Sequence, residues 1–294
     1  MNRKILYSVT VVLVIISACE NLFIEDDLNN DPLTNFNYLW ETLDKNYSFF
    51  DYKNVDWEET GEIYRDSIDS GMTDYELFDI MANMLGELKD GHVNLTSPFD
   101  VSRYWDWEKK NPPNFHWETI EDHYLGDDYL ITGPLRNVII DSIGYIYYGS
   151  FNSGISSANI DTVMSRFRTL KGIIIDIRNN GGGSTVNGDK IISRLVTKKT
   201  LVSYTKYKAG PGHDDFSDYI PSYISPEGKY RFPSAKPIIL LTNRGAYSAS
   251  THFAMKMKAL DNVVIMGDTT GGGGGIPIYN ELPNGWTFRY SSNI

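Results

Sequence analysis

The chain has 294 residues, 41% of them apolar and 13% aromatic, so it can bury one large core or a core with a small cap, and disorder is excluded as its default state. Its formal charge is −11, more negative still without Arg3 and Lys4, which disfavours nucleic acid and anionic lipid headgroups as partners. Cys19 is the single cysteine, which excludes an intrachain disulfide and any cysteine-based metal cluster.

At the amino terminus, Arg3 and Lys4 precede an apolar run from Ile5 to Ile16 and then Ser17-Ala18-Cys19, an export leader short for a membrane span. The segment resembles a bacterial lipoprotein signal, with Ile16-Ser17-Ala18-Cys19 matching the lipobox. That resemblance implies removal of residues 1–18, a lipid on Cys19 as membrane anchor, and an exported, envelope location. An ordinary secretory signal with an incidental cysteine is the alternative. Residues 19–33, with Glu25, Asp26 and Asp27, read as a flexible acidic tether.

A helical subdomain is expected over 34–95. Phe36, Leu39, Trp40, Leu43 and Tyr47 recur at helical spacing after Thr34 and Asn35. A second helix starts at Thr73, with Glu76 completing a capping box, and carries Leu77, Phe78, Met81, Met84, Leu85 and Leu88 to an end at Gly91. His92 then stands at a helix-to-strand junction, where functional residues often sit. Residues 96–141 are aromatic, polar and proline-rich, and read as a cap or insertion.

From 142 to 294 strands and helices alternate. Ile143 to Phe151 reads as a strand, Ile160, Val163, Met164 and Phe167 as a helix stripe, and Gly172 to Ile177 as a buried strand. A helix near Ile191, Ile192 and Leu195 and a strand near Leu201 to Tyr207 follow, then a Pro/Gly-rich loop from Ala209 to Pro233. The strand at Ile238 leads through a small-residue turn to Ser248 and a helix with Phe253, Met257 and Leu260; Val263 to Gly267 is the next strand. Asn284-Gly285 between Leu282 and Trp286 signals a tight hairpin. The succession implies an α/β core with a mostly parallel sheet.

Ser248 carries the sharpest chemical signal. A serine on a strand-to-helix turn exposes its hydroxyl where the helix's unpaired N–H groups favour developing negative charge. An N-cap is the competing role. Gly181 to Gly183, between strand and helix, offer amides to an anion, whether phosphate or oxyanion, although the usual companions of a nucleotide site are missing. Gly271 to Gly275 read as a mobile loop at the same edge.

Leu88-Lys89-Asp90-Gly91-His92-Val93, the run from Gly172 to Gly183, and Tyr247-Ser248-Ala249-Ser250 occur in one order. Together they resemble the C-terminal-processing (tail-specific) and tricorn-core serine peptidases. The resemblance spans Phe36 onward and implies a crotonase-like or ClpP-like core after a small helical subdomain, acting on peptide or protein substrates without cofactor or metal. One branch of that family uses a lysine base in the loop that is here Gly271 to Gly275, which has none. Lys256 and Lys258, on the helix itself, read as solvated charges. The tricorn-like branch places a histidine where this chain has His92. The implied mechanism is attack by Ser248, proton transfer through His92, and an oxyanion held by the N–H of Ala249 and of Gly181 or Gly182, with Gly182 preferred. His252, one turn past Ser248, is poorly aimed as a rival base, and His116, His123 and His213 lack ligand spacing.

Two departures stand out. The tricorn-like pattern has a serine where Gly91 stands, and an acidic residue that completes its set is expected beyond Ile294. Asp90, Asp176 and Glu281 are candidate substitutes, with a structural role open for Asp176. The stretch 96–141 is too short for a PDZ module. A catalytically inactive peptide-binding lipoprotein on the same scaffold is the main alternative, and an esterase lacking Gly-x-Ser-x-Gly a further one.

Overall fold

The computed structural model describes residues 29–294, so the leader, Cys19 and most of the tether lie outside the described residues. Helix α1 (Pro32–Asn46) starts earlier than the Thr34-Asn35 expectation. Asp31 is its N-cap and accepts from the Thr34 N–H, with proline in the first turn, where its missing N–H costs nothing. After α2 (Phe50–Lys53) and α3 (Trp57–Arg65), α4 (Asp74–Gly86) carries the expected Thr73/Glu76 capping box. It stops at Gly86, not Gly91: Lys89 turns to a positive φ of 48° and the chain enters β1 (Asn94–Thr96).

Residues 96–141 hold two short α-helices, α5 (Asp106–Lys109) and α6 (Trp117–Ile120), the second running on into a π-helical turn (Glu121–Leu125), and then the hairpin strands β2 (Leu130–Thr132) and β3 (Leu135–Ile140). That hairpin belongs to the central sheet. From β4 (Ile143–Tyr147) the expected alternation runs through α7 (Ser157–Phe167), β5 (Gly172–Asp176) and α8 (Thr185–Ile192). The loop expected over 209–233 instead contains a strand. β6 (Thr200–Thr205) pairs antiparallel with β7 (Ile220–Ile224), a register that no local signal marks. β8 (Ile238–Thr242), α9 (Ala249–Met257), β9 (Val263–Gly267), and the hairpin β10 (Pro277–Glu281) and β11 (Thr287–Ser291) complete the chain.

The central sheet has the order β2-β3-β4-β5-β8-β9, with β4, β5, β8 and β9 parallel and the β2–β3 hairpin antiparallel at one edge. Its buried strand faces, Ile173, Ile175, Ile238 and Leu240, pack against Val163, Phe167, Ile192 and Phe253 from the helices, forming one apolar core. A second core joins Phe36, Leu39, Phe78 and Met81 of the helical subdomain to Trp286, Phe288 and Tyr290 of the last hairpin. β11 pairs antiparallel with β1 at Asn94↔Arg289. The C-terminal hairpin therefore completes the N-terminal subdomain, and the seam between the two cores runs beside the carboxyl ends of β5 and β8.

Candidate active site

Ser248 lies where β8 gives way to α9. Its backbone has φ 56° and ψ −119°, a left-handed conformation that costs a non-glycine residue about 1–3 kcal/mol. The hydroxyl makes no capping hydrogen bond, so the N-cap role is unfilled. The turn is held from below: the Ser248 N–H donates to Gly272 O at 2.9 Å and the Tyr247 N–H to Asn180 O at 3.0 Å. Half-buried Ser248 opens into a cavity of about 660 Å³.

Beside it stands the turn after β5. Fully buried Asn180 organises it, donating from Nδ2 to Tyr148 O and accepting at Oδ1 from the N–H groups of Phe151 and Gly182. Gly182 has φ +100°, and a Cβ there would sit 2.6 Å from Tyr247 O and 2.9 Å from Ser248 Cβ, so only glycine allows this approach. The preference for the Gly182 amide needs correcting, because that N–H is spent on Asn180 Oδ1 at 3.0 Å. Gly181, which makes no such bond, lines the cavity with Ser248. Ala249, buried at the first position of α9, has an N–H beyond the reach of intrahelical acceptors.

His92 lines the same cavity and is 5% exposed. Its ring Nδ1 lies 2.8 Å from Gly275 O. A carbonyl can only accept, so Nδ1 carries the proton and Nε2 is left as a bare acceptor. Burial is the main influence lowering the His92 pKa below the ordinary imidazole value, and the Arg289 guanidinium acts the same way; the Asp90 carboxylate and the Gly275 carbonyl oppose them. No hydrogen bond joins Ser248 to His92. The expected orienting acids do not reach the imidazole. Asp90 accepts from the His92 backbone N–H, Tyr47 Oη and Ser291 Oγ. Asp176, wholly buried, is tied to Tyr145 and Arg178, and Glu281 is exposed on β10. The ring's partner is a main-chain oxygen.

That oxygen belongs to the second glycine run, expected as a mobile loop. The run is pinned at both ends of the site: Gly271 N–H donates to Ala246 O, Gly272 O accepts from Ser248 and from Thr251 Oγ1, and Gly275 O accepts from His92. His252 does not line the cavity, and its pKa is lowered by burial first, then by Lys256 and His92. Lys256 is not a solvated charge. It is 9% exposed and its Nζ donates to Asp189 Oδ1 at 2.6 Å, whereas Lys258 is exposed as expected.

Three residues at the site escaped sequence reasoning: Asn180, buried behind the cavity wall, and Trp107 and Arg289, which line the cavity. Trp107 stacks on Tyr247 at 4.2 Å, and Arg289 arrives from β11. Asn180 sits inside the Asn179-to-Gly183 motif, where a polar side chain before glycines could have signalled it; the other two depend on long-range packing.

Residues 142–293, more than half of the chain, match the model of peptidase family S41. The chain belongs to peptidase family S41. Residues 29–86 also match the tricorn protease C1 domain. A crystal structure of a candidate peptidase from Parabacteroides merdae is 47% identical, covers 90% of this chain and 84% of its own, and superposes with a TM-score of 0.85. The chloroplastic C-terminal processing peptidase of Tetradesmus obliquus is 32% identical over 145 residues, 49% of this chain and 29% of that protein, so the matched part spans less than a third of that relative. The photosystem II D1 C-terminal processing protease shares the fold at a TM-score of 0.57 and 16% identity, covering 90% of this chain and 89% of its own. Membership in S41 places the chain in a family of serine peptidases, with the mixed α/β, mostly parallel core and helical N-terminal region expected from its motifs.

Proposed function

We propose that the protein is a serine endopeptidase of the tricorn-like type, hydrolysing peptide bonds through an acyl-Ser248 intermediate. The observation that carries this reading is the strained, uncapped Ser248, sharing one cavity with a His92 whose Nδ1 is occupied and whose Nε2 is bare. Ser248 Oγ attacks the scissile carbonyl as His92 Nε2 takes its proton. The tetrahedral oxyanion is held by the N–H groups of Gly181 and Ala249, each worth about 100- to 1000-fold in rate. The imidazolium then gives its proton to the departing amine, and water, deprotonated by the same nitrogen, releases the acid. Burial keeps His92 neutral near pH 7, the state this cycle starts from.

The test is fluorophosphonate labelling of the purified protein with the modified residue mapped by mass spectrometry. Labelling at Ser248, absent in Ser248→Ala and His92→Ala, is the expected result; an unlabelled, folded protein would sink it. In that case a peptide-binding cleft without catalysis takes its place, a reading favoured by the lack of a Ser248–His92 hydrogen bond and of any carboxylate on the imidazole. The lipobox supports a lipid anchor on Cys19 and an envelope location, and metabolic labelling with a fatty acid, lost in Cys19→Ala, tests both.

A further inference from the structure

β10 leaves the candidate site directly: Gly275 O holds His92, and the strand begins soon after at Pro277. It is the outermost strand of the sheet β1-β11-β10, and no isolated bridge covers its free side among the described residues. Which main-chain groups point to that side follows from the ladder. Ser292 N–H donates to Ile276 O and Leu282 N–H to Trp286 O. In an antiparallel pair such bonded positions alternate, so Ile278 and Asn280 also face β11, opposite Tyr290 and Phe288. Pro277, Tyr279 and Glu281, opposite Ser291, Arg289 and Thr287, turn their N and C=O groups outward.

That outward row is selective. Pro277 has no N–H to offer, and Glu281 puts a charge at the far end, two devices that keep an edge from pairing with another sheet. Between them Tyr279 presents its N–H and C=O together, on a residue that is 67% exposed. An edge blunted at both ends and open in the middle suits a short extended peptide better than a second sheet. Its position also fits a peptide, because Pro277 and Tyr279 line the cavity that holds Ser248 and His92. Tyr279 lies opposite Arg289, and Arg289 opposite Asn94, so the three side chains share one face of the sheet. A shallow cavity of about 210 Å³ over that face has Asn94, Val101, Tyr279 and Arg289 in common with the main one.

We propose that β10 takes the substrate as an added strand: an extended stretch of polypeptide lies along its free edge and exchanges main-chain hydrogen bonds with Tyr279. Every second side chain of that stretch then turns toward the shared cavity. The inference rests on the peptidase reading above and gives it a substrate class. Segments free to extend, such as unfolded tails and linkers, are taken in preference to helices and tightly folded loops. Because the bonds are made by main chain, they select for an extended shape before they select for sequence.

The test does not need turnover. Amide hydrogen exchange of Ser248→Ala protein is followed by NMR with and without a mixed-sequence dodecapeptide library. The Tyr279 amide should exchange fast in the free protein and slow about tenfold with the library, while the Ile278 amide, bonded to β11, is slow throughout. Adding Tyr279→Pro removes the outward N–H and no bond to β11. Retention of the library on the immobilised protein should then fall about three- to tenfold, the loss of one hydrogen bond. Tyr279→Ala keeps the N–H and should lose less. A Tyr279 amide that the library leaves unchanged overturns the proposal, and this arm stands even where the proline variant does not fold. Full retention by folded Tyr279→Pro protein, or an equal loss in the alanine variant, overturns it too. So does a Tyr279 amide that slows with protein concentration alone, which would put a second copy on the edge. Failure of the peptidase reading shows separately, as a wild-type Ser248 that fluorophosphonate does not label while the library still protects Tyr279.

Discussion

The nucleophile side and the base side of the cavity are built in different ways. Ser248, Ala249 and Gly181 stand at the ends of neighbouring strands of one sheet, and the strand-turn-helix that presents Ser248 runs only from Ile238 to Met257. His92 comes from another core, reached only where β1 pairs with β11 and the second glycine run crosses over. One half of the site is local and the other assembled, so damage to the assembled half should leave a folded sheet with an idle serine.

Phe288→Ala tests this most severely. The side chain is 2% exposed in the helical core, on the strand that pairs with β1. Its loss should cost about 3–5 kcal/mol, lowering the thermal midpoint and abolishing Ser248 labelling while far-ultraviolet dichroism retains the sheet signal. Gly182→Ala strikes the local half: the new Cβ would press on Tyr247 O and Ser248 Cβ at a φ of +100°. Labelling should fall about 100- to 1000-fold, with a smaller change in melting temperature.

Asp90→Asn sharpens the comparison through pH. Labelling requires neutral His92, so its rate should rise with pH to a plateau, with a midpoint below the ordinary imidazole value of about 6.5. The Asp90 carboxylate favours the imidazolium, so the asparagine should move the midpoint further down; Arg289 disfavours it, so Arg289→Gln should move it up. Asp90→Asn should also cost about 1–3 kcal/mol of stability, measured by denaturant titration, because Tyr47 and Ser291 lose a charged acceptor. His252→Gln should be the mildest change, within about twofold in labelling, since that ring does not line the cavity.

What could be read from the chain divides along the same line. The capping box at Thr73, the stripe from Ile160 to Phe167, the strand at Ile238 and the turn at Asn284-Gly285 are local patterns, and each forms the element its pattern predicts. Missed were pairings of distant segments: β6 with β7, the β2–β3 hairpin at the sheet edge, and Trp107 against Tyr247. The carbonyl that meets His92 had no side chain to announce it, and the Gly182 amide was misjudged because Asn180 reaches it only in the folded turn. Lys256 looked solvated until Asp189, from another helix, came alongside.

The pairing of β1 with β11 also sets an order of events in synthesis. Asn94 meets Arg289 across 195 positions, so the strand that steadies His92 is made long after His92 itself. Until then a ribosome-bound chain has no seated histidine, and the loop contributing Gly275 has nothing to close against. On the proposed mechanism, a peptidase assembled this way stays silent until the β10–β11 hairpin has emerged and closed against β1.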